Sequence, residues 1–326
     1  MQVGLRVSLA VFAALVTSVS IAASQPNVPA WPYPQEPAKG SPTFPPDDGQ
    51  PRHVPGSTQA YTLKQADGPV AVDWFPGSHP TPPANVINGK PGSYFSCGSC
   101  HLLNGAGFPE TQGLNGLPVA YMQQQFDDMK NGLRDNAMAI RLHPHMIHFG
   151  GRFSEAEEKE SLDYFHALPP VKWIRVVEAA NVPKTATGAN DIAILAVDPS
   201  GAKEPIGNRI VEVPESYDRT MLHDPTSGFV AYVPPGSLAK GAALARTGAG
   251  GRVTACVTCH GADLRGMGDL NPPIAGRSPS ATGRQLYDFK TGARHGKNSA
   301  LMKAVVEKLT DDDILDVTAY LASLPQ

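Results

Sequence analysis

The chain has 326 residues, with 27 Lys and Arg against 30 Asp and Glu and a formal charge of −3. That length accommodates two domains of ordinary size, and the mild acidity argues against a nucleic-acid partner, which would call for a basic face. Four cysteines would suit two disulfides in an exported chain, but their spacing points elsewhere.

In chain order, residues 1–24 have the pattern of an export signal. Arg6 is the only charged residue there, Val7–Ile21 is an unbroken run of apolar and small residues, and Ala22-Ala23-Ser24 offers a cleavage site. The alternative is retention as an anchor, because the run approaches the shortest spanning length. The small residues and the polar stretch behind them favour cleavage. No Cys stands near enough for a bacterial lipid anchor, and no later segment is long and apolar enough to span a bilayer. A soluble periplasmic protein without stable membrane insertion is therefore expected.

Residues 25–81 read as a Pro-rich N-terminal arm. Within it, Gln25–Gly56 carries Pro45-Pro46 and Asp47-Asp48-Gly49, and each proline removes a backbone donor and fixes its own φ. Helical patterning follows over 82–170 and again over 235–326. These two stretches are an internal repeat. Cys97 and Cys256 stand 159 residues apart. Gln125-Phe126-Asp127-Asp128-Met129-Lys130-Asn131-Gly132-Leu133-Arg134 answers Gln285-Leu286-Tyr287-Asp288-Phe289-Lys290-Thr291-Gly292-Ala293-Arg294, and Ser154 to Pro169 answers Thr310 to Pro325.

Both closing segments start on a hydroxyl N-cap three residues before an acid, Ser154 with Glu157 and Thr310 with Asp313. Ile314, Val317, Tyr320 and Leu321 recur at helical spacing, and each helix is predicted to stop at a Leu-Pro pair. The connecting segment 171–234 differs. Ile174–Val177, Ile192–Val197 and Ile210–Val213 are short β-branched runs between Pro, Gly, Asp and Asn, which predicts a few short strands wrapping the domains.

The four cysteines form two Cys-x-x-Cys-His motifs, Cys97-Gly98-Ser99-Cys100-His101 and Cys256-Val257-Thr258-Cys259-His260. This is the attachment pattern of a c-type haem. Two thiols one helical turn apart meet the two porphyrin vinyl groups, and the adjoining His supplies the proximal nitrogen to iron. A redox-active dithiol would need one such motif in a βαβ context. A zinc shared by both pairs would leave both histidines without a role. Two haem c groups are therefore expected.

The sixth ligand decides between carrier and enzyme. Met146 stands eight residues before Ser154 and Met302 eight before Thr310, whereas Met138 has no counterpart in the second repeat. Met146 and Met302 are the candidates. His143, His145 and His148 surround Met146, and any of them could replace it. His53, His79, His166, His223 and His295 have no ligand-like context and read as structural.

With these residues in view, the chain resembles the diheme class I cytochromes c, specifically the cytochrome c4-like group. The resemblance covers about Pro82–Pro170 and Pro235–Gln326. It is carried by the two haem motifs, by Pro272-Pro273-Ile274-Ala275-Gly276 and Leu114-Asn115-Gly116-Leu117-Pro118, by the two Lys-x-Gly-x-Arg stretches and by the Met-to-helix spacing. It implies a mainly α fold of two tandem class I cytochrome c domains, His/Met haems and transfer of electrons between redox partner proteins.

The resemblance also implies that Pro272 offers its carbonyl to the Nδ1–H of His260. The first repeat has Gln112 at that position, with Pro109 three residues earlier, so the bond is left unassigned there. Ala281 stands where the pattern and Tyr121 suggest an aromatic. Arg134 and Arg294 suit haem propionates, since a guanidinium matches a carboxylate, and a solvated helix-end arginine is the alternative for each. The leading expectation is a non-enzymatic electron carrier. The alternatives are a diheme peroxidase-like enzyme and a cytochrome subunit of a periplasmic dehydrogenase or oxidase.

Overall fold

The computed structural model describes residues 27–37, 39, 41, 46–90, 95–138, 146–147, 152–188 and 193–326. The expected export signal, Ile192 and the candidate ligands His143, His145 and His148 lie outside the described residues.

The first half is built on α1 (Leu63–Ala66), α2 (Ala84–Ile87), α3 (Cys97–His101), α4 (Val119–Lys130) and α5 (Glu155–Ala167). The connecting segment supplies β1 (Ile174–Glu178), β2 (Asn181–Pro183), β3 (Thr185–Thr187), β4 (Leu195–Val197), β5 (Lys203–Pro205), β6 (Val211–Pro214), α6 (Tyr217–Met221) and β7 (Phe229–Val233). The second half follows with α7 (Ser237–Gly251), α8 (Val257–His260), α9 (Pro279–Thr291), α10 (Ser299–Val306) and α11 (Asp311–Ser323).

The closing helices of the two halves, α5 and α11, begin alike. The Ser154 and Thr310 hydroxyls each accept the N3 backbone N–H while the N3 carboxylate reaches back to the cap, a complete capping box in both. Both end on a leucine in extended backbone, Leu168 and Leu324, because the residue before proline is pushed out of the helical region.

The connecting segment does more than wrap the domains. β7 lies between β1, which runs parallel to it, and β6, which runs antiparallel. Four of the five β7 residues are buried, as expected for a central strand. One core cluster gathers Trp173, Ile174, Phe229 and Val233 of this region, Leu315 and Ala319 of α11, and Leu102 and Phe108 of the loop after the first haem motif.

The Pro-rich arm also packs. Val54, Leu63 and Trp74 enter that same core, and the Trp74 indole N–H donates to the Leu222 carbonyl at 2.7 Å. Further upstream, Trp31 lies so close to Gly283 on α9 that a Cβ there would stand 2.6 Å from the indole ring. Tyr33 donates its hydroxyl to Asp288 at 3.0 Å.

Candidate haem sites

In the first motif the Ser96 hydroxyl caps α3 by accepting from the Ser99 amide, and the helical turn brings Cys97, Cys100 and His101 together. Neither thiol is in a disulfide. His101 is 7 % exposed, and its Nδ1–H donates to the Gln112 carbonyl at 2.9 Å. A carbonyl can only accept, so this bond fixes the tautomer and leaves the Nε2 lone pair for a metal. Burial pushes the imidazole pKa down to about 4, which holds it in the neutral form, the one that can bind a metal.

The second motif repeats the arrangement. His260 ends α8 and donates Nδ1–H to the Pro272 carbonyl at 2.8 Å, and burial again lowers its pKa. The first repeat achieves with Gln112 what the second achieves with proline. Gln112 does so in left-handed backbone, at φ +65. Burial also pushes the Cys97 and Cys256 thiols up to about 11, opposite to the depressed values of reactive redox cysteines. Among the described residues no three His, Cys, Asp or Glu side chains converge as ligands of one ion, so the two cysteine pairs do not share a zinc.

The first motif opens onto a cleft between α3, α4 and α5. Leu114, Phe126, Leu162 and Phe165 supply apolar walls, and Met146 lines the same cleft as His101. Arg134 and, from the second half, Arg284 and Gln285 line it too. Apolar walls, two thiols, an oriented imidazole and two guanidiniums in one cleft fit a porphyrin that carries two carboxylates. In the second half Met302 packs, partly buried, in the same cluster as Cys256 and Ile274. Met138, which lacked a repeat partner, packs against this second-half core as well.

Arg134 and Arg294 face each other across an approximate twofold. Arg134 donates to the Oε1 of Gln125 and of Gln285, both at 3.1 Å. Arg294 donates to the same two oxygens at 2.7 Å for Gln285 and 2.5 Å for Gln125. The backbone repeats the symmetry, with Asp135 N–H to Ala293 O at 2.9 Å and His295 N–H to Leu133 O at 2.8 Å. Burial and the neighbouring Arg294 push the Arg134 pKa down to about 10, and burial does the same to Arg277. Such an accumulation of buried guanidiniums is stabilised by anionic groups placed beside it.

Sequence reasoning did not single out Gln125, Gln285, Arg277 or Arg284. The two glutamines do hold equivalent repeat positions, and that equivalence was the available signal. Arg284 joins three segments, donating to Pro32 O at 2.7 Å, Pro109 O at 2.6 Å and Glu110 O at 2.8 Å. His223, read as structural, lines the first cleft.

Residues 238–325 match the family model described as Cytochrome c. Cytochrome c-554(548) of Halomonas halodenitrificans is 35 % identical over 72 residues, which cover 22 % of this chain and 87 % of that protein. A thiosulfate dehydrogenase electron acceptor of Stutzerimonas stutzeri is 26 % identical over 237 residues, covering 71 % of this chain and 80 % of the relative. Cytochrome c4 of Stutzerimonas stutzeri is 29 % identical over 143 residues, or 38 % of this chain and 65 % of that one.

Proposed function

Because the chain belongs to the cytochrome c family and carries two covalently bound haem c groups, we propose that it is a periplasmic electron carrier in which His101 and Met146 cap one iron and His260 and Met302 the other. Each haem, when bound, takes up and gives back one electron as its iron alternates between ferric and ferrous. Cys97 and Cys100 hold the first haem, and Cys256 and Cys259 the second. The segment 1–24 directs export to the compartment where such attachment occurs.

The observation that carries this reading is the matched pair of imidazoles, each with Nδ1–H tied to a backbone carbonyl and Nε2 left to the metal. The carbonyls of Gln112 and Pro272 orient the rings and raise their basicity as ligands. Arg134 and Arg294 receive propionate carboxylates at the junction of the halves.

The two halves offer their haems to solvent differently. Almost every residue from His101 to Glu110 is buried, whereas the equivalent loop exposes Ala262, Asp263, Arg265 and Met267 to Leu270, and Cys259 is exposed. We read the second half as the port through which partners exchange electrons.

Carbon monoxide binding to the dithionite-reduced protein tests the ligation, because CO needs a vacant or easily vacated site. The native protein is expected to show no Soret response at neutral pH. Met146→Ala and Met302→Ala should each open one haem, giving half of the full response. Ready CO binding by the native protein would discard the axial assignment for that haem and revive the peroxidase-like alternative.

A second reading rests on the relative named as a thiosulfate dehydrogenase electron acceptor, whose similarity covers 71 % of this chain. In that reading this chain accepts electrons from a thiosulfate-oxidising enzyme. Stopped-flow mixing with a thiosulfate dehydrogenase and thiosulfate should then reduce both haems. A chain that ascorbate reduces but this enzyme does not would count against it.

A further inference from the structure

His223 belongs to the connecting segment, outside both repeats, yet it stands in the wall of the first haem cleft with Cys100, His101 and Gln112. It is 7 % exposed and sits at φ +54, a left-handed conformation that is costly for a residue with a Cβ and persists only where the surroundings impose it. Those surroundings are explicit. The preceding carbonyl, Leu222 O, accepts from the Trp74 indole at 2.7 Å. The following Asp224 carboxylate holds Arg219 Nε at 2.7 Å and the Thr226 amide at 2.8 Å. Asn104, from the loop after the first motif, donates to the Pro225 carbonyl at 2.9 Å.

The imidazole is thus clamped from both sides, with its ring centre 5.0 Å from that of Phe108 and the two planes tilted by 60°. Burial holds it neutral, its pKa pushed down to about 4, so it carries one N–H donor and one lone pair. Neither ring nitrogen is hydrogen-bonded to any described residue, and neither is among the buried polar atoms fully walled in without a partner. A haem in the cleft would cover these nitrogens, and a covered donor left unpaired is costly, so strained backbone that presents one there calls for an acceptor. A c-type haem is bordered by methyl groups, thioether carbons and two propionates, of which only the carboxylates accept a strong hydrogen bond. Arg134 and Arg284 line the same cleft, along with Asp67, Glu110 and Glu158, and the two guanidiniums give a carboxylate there a cationic partner.

We propose that His223 is a contact of the first haem, donating its ring N–H to a propionate carboxylate. The connecting segment then completes the first haem's site, with no counterpart in the second repeat. This rests on the reading that Cys97, Cys100 and His101 hold a haem.

The test uses the full-length, haem-loaded chain with His223→Phe, which removes the donor, and His223→Gln, which keeps one. The pyridine haemochrome should report two haems per chain in both variants. A Cys97→Ala, Cys100→Ala control that still carries two would sink the underlying haem reading instead. Resonance Raman of His223→Phe should show the propionate-bending band of one haem shifted down, with the midpoint potential of that haem displaced and the other unmoved. His223→Gln should restore most of both. An unshifted band with two unchanged potentials in a fully loaded His223→Phe protein would overturn the proposal. Should that variant not fold, the reduced, diamagnetic native protein serves, since a bonded His223 ring N–H exchanges slowly with solvent. Fast exchange there would equally overturn it.

Discussion

At Gln112 the backbone must turn left-handed, φ +65, to aim a carbonyl at His101, while Pro272 offers the same carbonyl to His260 from a ring-locked φ. Introducing the proline of the second repeat into the first should therefore fail. Gln112→Pro cannot adopt the native angle and is expected to cost about 2–3 kcal/mol or more, read as a lower midpoint in denaturant unfolding followed at the Soret band. Gln112→Gly, which removes the Cβ penalty, should be neutral or stabilising by up to about 1 kcal/mol. Gly98 has a similar constraint, since a Cβ there would lie 2.7 Å from both Leu103 Cδ2 and the Val86 carbonyl. Its counterpart Val257 is tolerated because the α8 turn is less buried.

The helices are defined at their ends. Ser154→Ala and Thr310→Ala each remove one capping box and should cost about 1 kcal/mol apiece, roughly additively because the two caps belong to different halves. Calorimetry of the single and double variants checks this. The start of α9 is held differently. Glu212 of β6 accepts from the Ser278 hydroxyl at 2.8 Å and the Ser280 amide at 3.2 Å, and its burial raises its pKa above 4.5. A carboxyl raised on folding binds its proton more tightly in the folded state. Stability should therefore rise as pH falls from neutrality toward 4.5 and level off below it. Glu212→Gln is expected to flatten that slope in urea titrations run at several pH values. An unchanged slope would show that other groups set it. Where α7 crosses α11, Gly241 lets the backbones touch, since a Cβ there would stand 2.0 Å from the Asp316 carbonyl.

Across the whole molecule, the halves are joined by a shared device. Two arginines and two glutamines from equivalent positions cross-bond over an approximate twofold. Because each glutamine oxygen serves both arginines, Gln125→Ala and Gln285→Ala should not add. A double-mutant cycle is expected to give an interaction energy of about 0.5–3 kcal/mol, and a value near zero would mean the pairs act independently. The arm extends this joining. Trp31 and Tyr33 lie on α9, Arg284 ties Pro32 to the loop after the first motif, and Asp288 receives both the Tyr33 hydroxyl and the Ala137 amide. The added segments therefore bury the loop after the first Cys-x-x-Cys-His motif and leave the loop after the second open, which gives the two motifs unlike surroundings in one repeated fold.

Haem number and the ends of the closing helices were legible in the residues, because each follows from short-range rules: a five-residue motif written twice, a hydroxyl three residues before an acid, a leucine before a proline. The two-domain cytochrome c fold was legible for the same reason, written twice over. Long-range placement was not. Nothing near Trp31 in the chain announces Gly283, nothing in the runs of 171–234 marks β7 as the middle of a buried sheet, and His223 sits in a turn with no periodicity to betray it. Gln112 could be aligned with Pro272, but only the folded loop turns its carbonyl to the imidazole. Arg134 and Arg294 were visible as a pair, while their meeting across a common axis depends on how the two halves dock. Such contacts join residues far apart in the chain, and no local pattern of polarity or spacing encodes them.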